Sequence, residues 1–111
     1  MENLLYLSVL FEYYGCLLTQ RQYDVCDMYY NSNLSLGEIS AELGITRQGV
    51  RDCLVKSENT LRHYEEKLGI QKKNLQLGRL VNEITEQTKN ISDKSAAEII
   101  KKVADKINDL I

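Results

Sequence analysis

The sequence predicts an all-α protein, and three observations support this prediction. None of the 111 residues is proline, although ordinary usage of ~5% would supply several. Because proline breaks helix interiors and punctuates loops, its absence favours long helices joined by short turns. Apolar residues recur at spacings of three and four along most of the chain, which is the spacing of one helix face. Helix-capping residues stand where these runs begin and end.

The first two helices are predicted from apolar spacing and one capping pair. The apolar face of the first helix consists of Leu4, Leu7, Phe11, Tyr14 and Leu18. Gly15 is expected to interrupt this helix and to begin its C-cap. Thr19 is followed three residues later by Gln22, and this capping box predicts that a second helix starts there. The polar residues 31–33 are expected to end it.

A helix-turn-helix motif is predicted over residues 35–67. Ser35 and Glu38 form a second capping box, which opens a short helix. Gly44 ends this helix, because glycine adopts the left-handed conformation that a tight turn requires. Thr46 is a good N-cap for the next helix. Such a pair of helices meets at a steep angle, so the second one can enter a major groove.

The second helix of the motif, the recognition helix, is predicted to be unusually long. Its pattern runs from Arg47 to a C-cap at Gly69, with one polar position in a heptad seam. The seam consists of Val50, Leu54, Ser57, Leu61, Tyr64 and Leu68. Because one small domain can hardly bury the last turns, Leu61, Tyr64 and Leu68 are predicted as dimer or packing contacts.

Residues 70–111 are predicted to be a C-terminal helical extension to a domain of residues 1–69. The face of its first helix is expected to contain Leu77, Leu80, Val81, Ile84, Thr88 and Ile91. Ser92 or Ser95 is expected to cap a last helix. The face of this last helix is expected to contain Ala96, Ile100, Val103, Ile107 and Leu110. No Gly/Ser-rich linker precedes the extension, so we expect it to be docked or dimerising, and we predict a homodimer.

Two resemblances to known families add to this pattern. The segments SLGEISAELGITRQGV (residues 35–50) and LTQRQYDVC (residues 18–26) resemble the helix-turn-helix of sigma-factor region 4 and its support helix. The segments LFEYYGCLLTQRQ (10–22), DMYY (27–30) and TRQGVRD (46–52) resemble the YlxM family. These are small bacterial helix-turn-helix proteins associated with the signal recognition particle pathway. The resemblance implies a cytoplasmic accessory or regulatory protein of co-translational targeting, and it weakens in the C-terminal extension.

Candidate nucleic-acid contacts lie on the recognition helix, away from its apolar face. They are Thr46, Arg47, Gln48, Arg51 and Lys56. Arg and Gln side chains can read base edges or hold phosphates, and a good bidentate pair contributes ~1–3 kcal/mol of discrimination. The hydroxyl of Thr46 and the nearby backbone amides can hold a phosphate at the helix N-terminus. The alternative is that these residues are only the solvated face of an exposed helix.

The charge distribution argues against tight DNA binding and leaves three hypotheses open. The net charge is −2, with six basic and ten acidic residues in 1–68 and eight basic and six acidic residues in 69–111. Any nucleic-acid contact must therefore come from a local patch. The first hypothesis is binding of DNA or of the signal recognition particle RNA. The second is a protein-interaction module for the particle's GTPase or its receptor, and the third is a sequence-specific transcription regulator.

Several other classes of protein do not fit the residues. No nucleophile–base pair and no phosphate loop are recognisable, so we predict a non-enzyme without a cofactor. Three cysteines without a C-x-x-C motif, together with one histidine, favour neither disulfides nor a metal site. The thiols are predicted to be small buried hydrophobes in a reducing cytosol. With Glu2 and no basic residue before Arg21, the N-terminus does not resemble a signal peptide. Its apolar run is too short for membrane insertion.

Other side chains allow two interpretations. Tyr23, Tyr29 and Tyr30 could stack on RNA bases, but core or dimer contacts are favoured at helical spacing. His63 is expected to lie on the surface. Five lysines of the extension could form a weak basic face or could equally be part of a solvated helix surface. They are Lys72, Lys73, Lys101, Lys102 and Lys106.

Overall fold

The computed structural model describes residues 4–111, which form six α-helices and no strand. The helices are α1 (Leu4–Tyr14), α2 (Gln20–Tyr30), α3 (Leu36–Leu43), α4 (Arg47–Leu68), α5 (Ile70–Thr88) and α6 (Lys94–Asp109). The predicted all-α helix-turn-helix fold is therefore confirmed. Two compact units divide the chain: the helix-turn-helix unit, Met1–Gly69, and the C-terminal hairpin, Ile70–Ile111. Glu2 lies outside the described residues.

Reciprocal hydrogen bonds begin α2 and α3, as the two capping boxes predicted. The Thr19 hydroxyl accepts from the Gln22 amide, while the Gln22 side chain accepts from the Thr19 amide. The Ser35 hydroxyl accepts from the Glu38 amide at 3.1 Å, and the Glu38 carboxylate accepts from the Ser35 amide at 3.0 Å. Hydrogen bonding from the backbone amide and the hydroxyl of Ser35 to its carboxylate lowers the pKa of Glu38. The two helices therefore start at residues that the local sequence specifies.

The two predicted left-handed glycines are confirmed, whereas Gly15 has another role. Gly44 ends α3 with φ 67°, and Gly69 ends α4 with φ 63°. Gly15 is not left-handed; it starts a 3-10 turn, Gly15–Leu17, after α1. A Cβ added at Gly15 would lie 2.9 Å from the ring of Phe11. The small size of Gly15 therefore makes room for an aromatic side chain, which a spacing argument could not show.

One apolar core holds the helix-turn-helix unit together. Its buried members come from all four helices and are Leu7, Leu10, Phe11, Tyr14, Val25, Cys26, Ile39, Val50, Leu54 and Leu61. The α4 seam is buried from Val50 to Leu61, and α1, α2 and α3 all pack against α4. Ser57, the polar member of the seam, is buried and donates to the Cys53 carbonyl at 2.7 Å. This bond satisfies its hydroxyl within α4.

The far end of α4 is covered within the same unit, which corrects the prediction that it needs a second surface. Leu61 is 0% exposed and belongs to the core. The ring of Tyr64 stacks on Tyr14, with centroids 6.0 Å apart. The Tyr14 hydroxyl donates a buried hydrogen bond of 2.6 Å to Glu65. Because α1 lies along α4, Leu61 is unavailable as a dimer contact and Tyr64 is largely covered. At 48% exposure, Leu68 alone of the three remains open.

The C-terminal hairpin buries little of its apolar surface. In residues 70–111 the buried side chains are Val81, Thr88 and Ala104. Leu80 and Val103, expected on the inner faces, are 55% and 51% exposed. Val81 and Thr88 of the predicted face of α5 are therefore covered, whereas the other members of the two predicted faces are half-buried or exposed.

The cap of α6 also differs from the prediction. Asp93 is its N-cap, and the carboxylate accepts hydrogen bonds from the amides of Ser95 and Ala96 at 3.0 and 3.2 Å. Neither Ser92 nor Ser95 occupies that position. Aspartate is as good an N-cap as serine, so three candidates in four residues could not be ranked by residue type.

Candidate nucleic-acid interface

The candidate interface begins at the exposed N-terminus of α4. Thr46 is the N-cap, and its hydroxyl oxygen accepts from the Gly49 amide at 2.9 Å. Thr46, Arg47 and Gln48 are all exposed. The first amides of a helix have no partner within the helix, and the helix dipole makes this end attractive to anions. The first turn of α4 can therefore meet a phosphate.

Arg47 extends across the beginning of α3. A Cβ placed on Gly37 would lie 3.9 Å from both Cδ and Nε of Arg47, so this side chain passes over the first turn of α3. These distances are ordinary van der Waals contacts, so an alanine at position 37 would also fit beside Arg47. The side chain is exposed and lies at the junction of the two motif helices. Its charge therefore adds to the N-terminal end of α4.

Three arginines share one stripe of α4. Arg47, Arg51 and Arg62 fall within roughly 60° of arc, since each residue of an α-helix advances by about 100°. All three side chains are exposed. None of them forms an ion pair with a carboxylate of residues 4–111. This arginine stripe holds half of the basic residues of a unit in which acidic residues predominate.

The arginine stripe borders a groove of about 350 Å³, which we call the α1–α4 groove. Its apolar lining consists of the buried Leu7 and Leu54 together with the more exposed Leu4, Leu36 and Val55. Arg51 and Arg62 stand on its rim, and the Arg62 guanidinium lies 6.0 Å from the centroid of the Tyr6 ring. The groove therefore combines apolar surface with cationic groups that have no carboxylate partner within residues 4–111.

The one carboxylate on the rim of this groove has a partner. Glu58 lies between Arg51 and Arg62 along the helix and accepts a hydrogen bond of 3.3 Å from the Tyr30 hydroxyl. Burial and the neighbouring Glu58 raise the pKa of Tyr30 well above its usual range. The Tyr30 hydroxyl is therefore the donor in this hydrogen bond to Glu58. This bond holds the carboxylate toward Tyr30 of α2 but places no positive charge beside it.

Gln48 and Lys56 are placed differently from the arginines. The Gln48 side-chain amide donates to Asp52 at 2.8 Å, so it is held one turn along the exposed face of α4. Lys56 lies about 140° around the helix from Arg51. It lines a separate groove with Asp52 and Gln22. The structure thus brings Thr46, Arg47 and Arg51 together at the N-terminal end of α4. Gln48 lies beside them, whereas Lys56 lies on another side of the helix.

Two features were missed from the sequence. Arg62 was not among the candidates, although its spacing of eleven residues from Arg51 is three helical turns and could have shown the shared face. The bond between Tyr14 and Glu65 had no such signal, because it joins residues 51 positions apart. Only the packing of α1 on α4 brings these two side chains together.

The other side chains singled out in the sequence differ in their burial. Tyr29 and Tyr30 pack against the core, whereas Tyr23 is 38% exposed although its ring centroid lies 5.1 Å from that of Phe11. Of the cysteines, Cys26 is buried and Cys53 is half-buried, whereas Cys16 is exposed in the 3-10 turn. The prediction that all three are buried was therefore wrong for Cys16. His63 is exposed, as are the lysines of the hairpin that were considered for a basic face.

These observations define the class of the protein. Two capped helices, α3 and α4, are joined by a turn with a left-handed glycine, and the N-terminus of α4 is exposed. This is the arrangement of a helix-turn-helix protein. The chain belongs to the UPF0122 family, because a family model described as "Putative helix-turn-helix protein, YlxM / p13 like" matches residues 1–109. The resemblance to YlxM is therefore confirmed. Within residues 4–111, no helix is long and apolar enough to cross a membrane.

Curated relatives support this membership. A UPF0122 protein of Caldanaerobacter subterraneus subsp. tengcongensis is 44% identical over 85 residues, which cover 77% of this chain and 73% of the relative. A UPF0122 protein of Acetivibrio thermocellus is 37% identical and covers 100% of this chain and 98% of its own length. A UPF0122 protein of Clostridium perfringens is 34% identical with the same coverage. The similarity therefore includes the C-terminal hairpin.

Proposed function

We propose that this chain is a nucleic-acid-binding accessory protein of the signal recognition particle pathway, acting in the cytoplasm as a homodimer and by binding instead of catalysis. The observation that carries the proposal is the arginine stripe beside the exposed N-terminus of α4. Arg47, Arg51 and Arg62 have no carboxylate partner in residues 4–111, although the unit is acidic as a whole, and this supports the binding of an anion along the stripe. The pathway itself rests on the resemblance to YlxM proteins.

Each candidate residue has a distinct part in this proposal. Arg47 and Arg51 hold phosphates, and the N-terminal amides at Thr46 hold another. Gln48 reads a base edge after exchanging its bond to Asp52, which is a solvent-exposed bond and therefore contributes little. Lys56 lies on another side of α4 and reaches only a phosphate outside the main interface. Most of the affinity is thus electrostatic, and the acidic surroundings keep it modest.

The type of nucleic acid follows from how far α4 can enter a groove. The major groove of B-DNA admits an α-helix, whereas that of an RNA duplex is too deep and narrow for side chains to read. Binding to the signal recognition particle RNA would therefore use the arginine stripe on phosphates and exposed loops. Binding to duplex DNA would place the first turns of α4 in the groove. Comparing the two ligands directly separates these modes.

Fluorescence anisotropy with the particle's RNA and with random duplex DNA, over a series of salt concentrations, tests the proposal. We expect the Arg47→Ala/Arg51→Ala variant to bind at least about tenfold more weakly at physiological salt. Its plot of log affinity against log salt should be shallower by ~0.7–0.9 for each phosphate that is no longer neutralised. The matched control is Arg21→Ala/Lys67→Ala, which removes the same charge from exposed positions outside the stripe.

Two outcomes would overturn the proposal. One is unchanged affinity when Arg47 and Arg51 are both replaced. The other is an equal reduction in the control variant, which would mean that net charge alone decides binding. Enrichment of one sequence from a random duplex pool would instead favour a transcription regulator.

The α1–α4 groove favours a second candidate function, a protein-interaction module for the particle's GTPase subunit or its receptor. Its lining includes Val55, which is 48% exposed and lies between Arg51 and Arg62 along α4. Such a surface suits an amphipathic segment with acidic flanks. Capture of the GTPase that survives nuclease treatment and is abolished in Val55→Glu would support this function. Capture that disappears with nuclease would contradict it.

A further inference from the structure

Two of the side chains that line the α1–α4 groove are arginines. Arg51 and Arg62 both belong to its lining, and neither forms an ion pair with a carboxylate of residues 4–111. The Arg62 guanidinium lies 6.0 Å from the centroid of the Tyr6 ring. A cation near an aromatic face is attracted by the ring, which positions this charge beside the groove. The groove therefore presents two cationic groups to a ligand with more than one negative charge.

The spacing of the positive charges favours a strand of phosphates over a single anion. Arg47 lies about 6 Å before Arg51 along α4, and Arg62 lies about 16 Å after Arg51, as follows from the rise of an α-helix. One phosphate cannot meet charges so far apart, whereas successive phosphates of one strand can. The N-terminus of α4 at Thr46 continues the same line with backbone amides that attract an anion. The arginine stripe is thus suited to a nucleic-acid backbone.

The apolar part of the groove distinguishes unpaired from paired nucleic acid. Leu4 and Val55 line the groove and are 43% and 48% exposed. A duplex presents phosphates and sugars outward and keeps the faces of its bases stacked inside. An unpaired residue of RNA exposes the face of its base, which can pack on side chains or stack on an arginine guanidinium. A groove of about 350 Å³ with apolar and arginine lining therefore suits an unpaired base.

Glu58 adds a hydrogen-bond acceptor to the same lining. Its Oε1 atom accepts from the Tyr30 hydroxyl at 3.3 Å, whereas its Oε2 atom accepts no hydrogen bond from residues 4–111. An acidic peptide in the groove would bring its own carboxylates near Glu58, and like charges repel. The amino group of a base is instead a donor to a carboxylate. Glu58 therefore favours a nucleotide with an amino group over an acidic peptide.

We infer that the α1–α4 groove binds an unpaired nucleotide of an RNA strand. The base packs against Leu4 and Val55, and its amino group donates to Glu58. Phosphates of the same strand meet Arg51 and Arg62. Cytosine presents an amino donor where uracil presents a carbonyl oxygen, so the groove prefers cytosine between these two bases. This inference rests on the proposed function and deepens it, since it names the kind of nucleic acid that the site recognises.

Fluorescence anisotropy with short labelled RNA at low salt tests the inference. The probes are a single strand of cytidines, a single strand of uridines and a mixed-sequence RNA duplex, all of the same length. The cytidine strand should bind the full chain at least about fivefold more tightly than the uridine strand, because only cytosine donates to Glu58. It should also bind more tightly than the duplex. A surface that held phosphates alone would prefer the duplex, which has the higher charge density.

Glu58→Gln separates recognition of the base from the effect of charge. Glutamine keeps the shape of the side chain and an acceptor for Tyr30, but it removes the negative charge and adds an amide donor. Both single strands should therefore bind more tightly, and the preference for cytidine should fall below about twofold. A merely structural role of Glu58 would leave the ratio of the two affinities unchanged. Circular dichroism checks that the variant keeps its helices.

Arg62→Ala tests the far end of the groove. The cytidine strand should bind this variant at least about threefold more weakly, because one phosphate loses its partner. Lys67→Ala is the matched control, since Lys67 is exposed on α4 at about 140° from Arg62 and carries the same charge. Binding of the duplex should decrease no more in Arg62→Ala than in the control.

The inference and the proposed function fail separately in these experiments. The inference is overturned by equal affinity for the three probes, by tighter binding of the duplex, by a cytidine preference that survives Glu58→Gln, or by equal losses in Arg62→Ala and Lys67→Ala. It is also overturned if Arg62→Ala loses capture of a protein partner but keeps its RNA affinity.

The proposed function stands after any of these results if Arg47→Ala/Arg51→Ala still weakens binding of the signal recognition particle RNA. Conversely, the expected behaviour of the three probes together with no affinity for the particle's RNA would sustain the groove as a nucleotide site and contradict the proposed pathway. Absence of binding by every nucleic acid would contradict both.

Discussion

The helix-turn-helix unit and the C-terminal hairpin differ in how much of their apolar surface they bury. The first encloses ten buried apolar side chains among four helices, and its longest helix is covered along most of its apolar seam. The second has two long helices and buries two apolar side chains. A unit with its own core can present polar groups to a ligand. A unit without one presents apolar surface, and its stability depends on what covers that surface.

The largest effect that we expect concerns the boundary of the first core. Leu61→Ala should lower the free energy of unfolding by ~2–5 kcal/mol, because Leu61 is completely buried and would leave a cavity. Leu68→Ala, one heptad further along α4, should change it by less than ~0.5 kcal/mol. Urea denaturation measures both. Equal decreases would show that something also covers the end of α4, and the contrast between the units would be weaker than described.

A smaller effect on the free energy of unfolding, confined to alkaline pH, tests whether the core excludes water. Burial raises the pKa of the Cys26 thiol to about 11 from 9.0. Between these values the unfolded chain releases a proton that the folded chain keeps, so stability falls as pH rises. The decrease should reach about 2 kcal/mol at pH 11.

The pH dependence of unfolding in cysteine variants measures this effect. Urea denaturation from pH 8 to pH 11 should show a flatter decline for Cys26→Ala than for the wild type. Cys16→Ala is the matched control, because Cys16 is exposed and its removal should leave the decline unchanged. Identical slopes for all three proteins would mean that water reaches Cys26.

The smallest effect concerns the hairpin and its corrected cap. Asp93→Ala should destabilise α6 by ~1 kcal/mol, because two backbone amides lose their acceptor. Ser92→Ala and Ser95→Ala should have little effect. Amide hydrogen exchange in the first turn of α6 reports the change directly. Faster exchange in either serine variant, with an unchanged exchange rate in Asp93→Ala, would contradict the assignment of Asp93 as the N-cap and would indicate a serine instead.

Local signals accounted for most of the fold. Both capping boxes, the left-handed glycines and the Thr46 cap lie where the sequence placed them. These features depend on residues three or four positions apart, whose interactions do not require the rest of the molecule. The arginine stripe could be predicted in the same way, since helical spacing alone places Arg51 and Arg62 on one face. The choice of Asp93 over Ser92 and Ser95 could not be predicted, because aspartate and serine are equally good N-caps.

By itself, the sequence determined the helix order, the motif and the exposed polar face of α4. Only the tertiary structure decided that Leu61 belongs to the core, that Tyr14 reaches Glu65, and which arc of each hairpin helix stays open. An apolar pattern shows how wide a buried face can be. Which part of that face is covered depends on the helices that pack against it, and these come from distant parts of the chain.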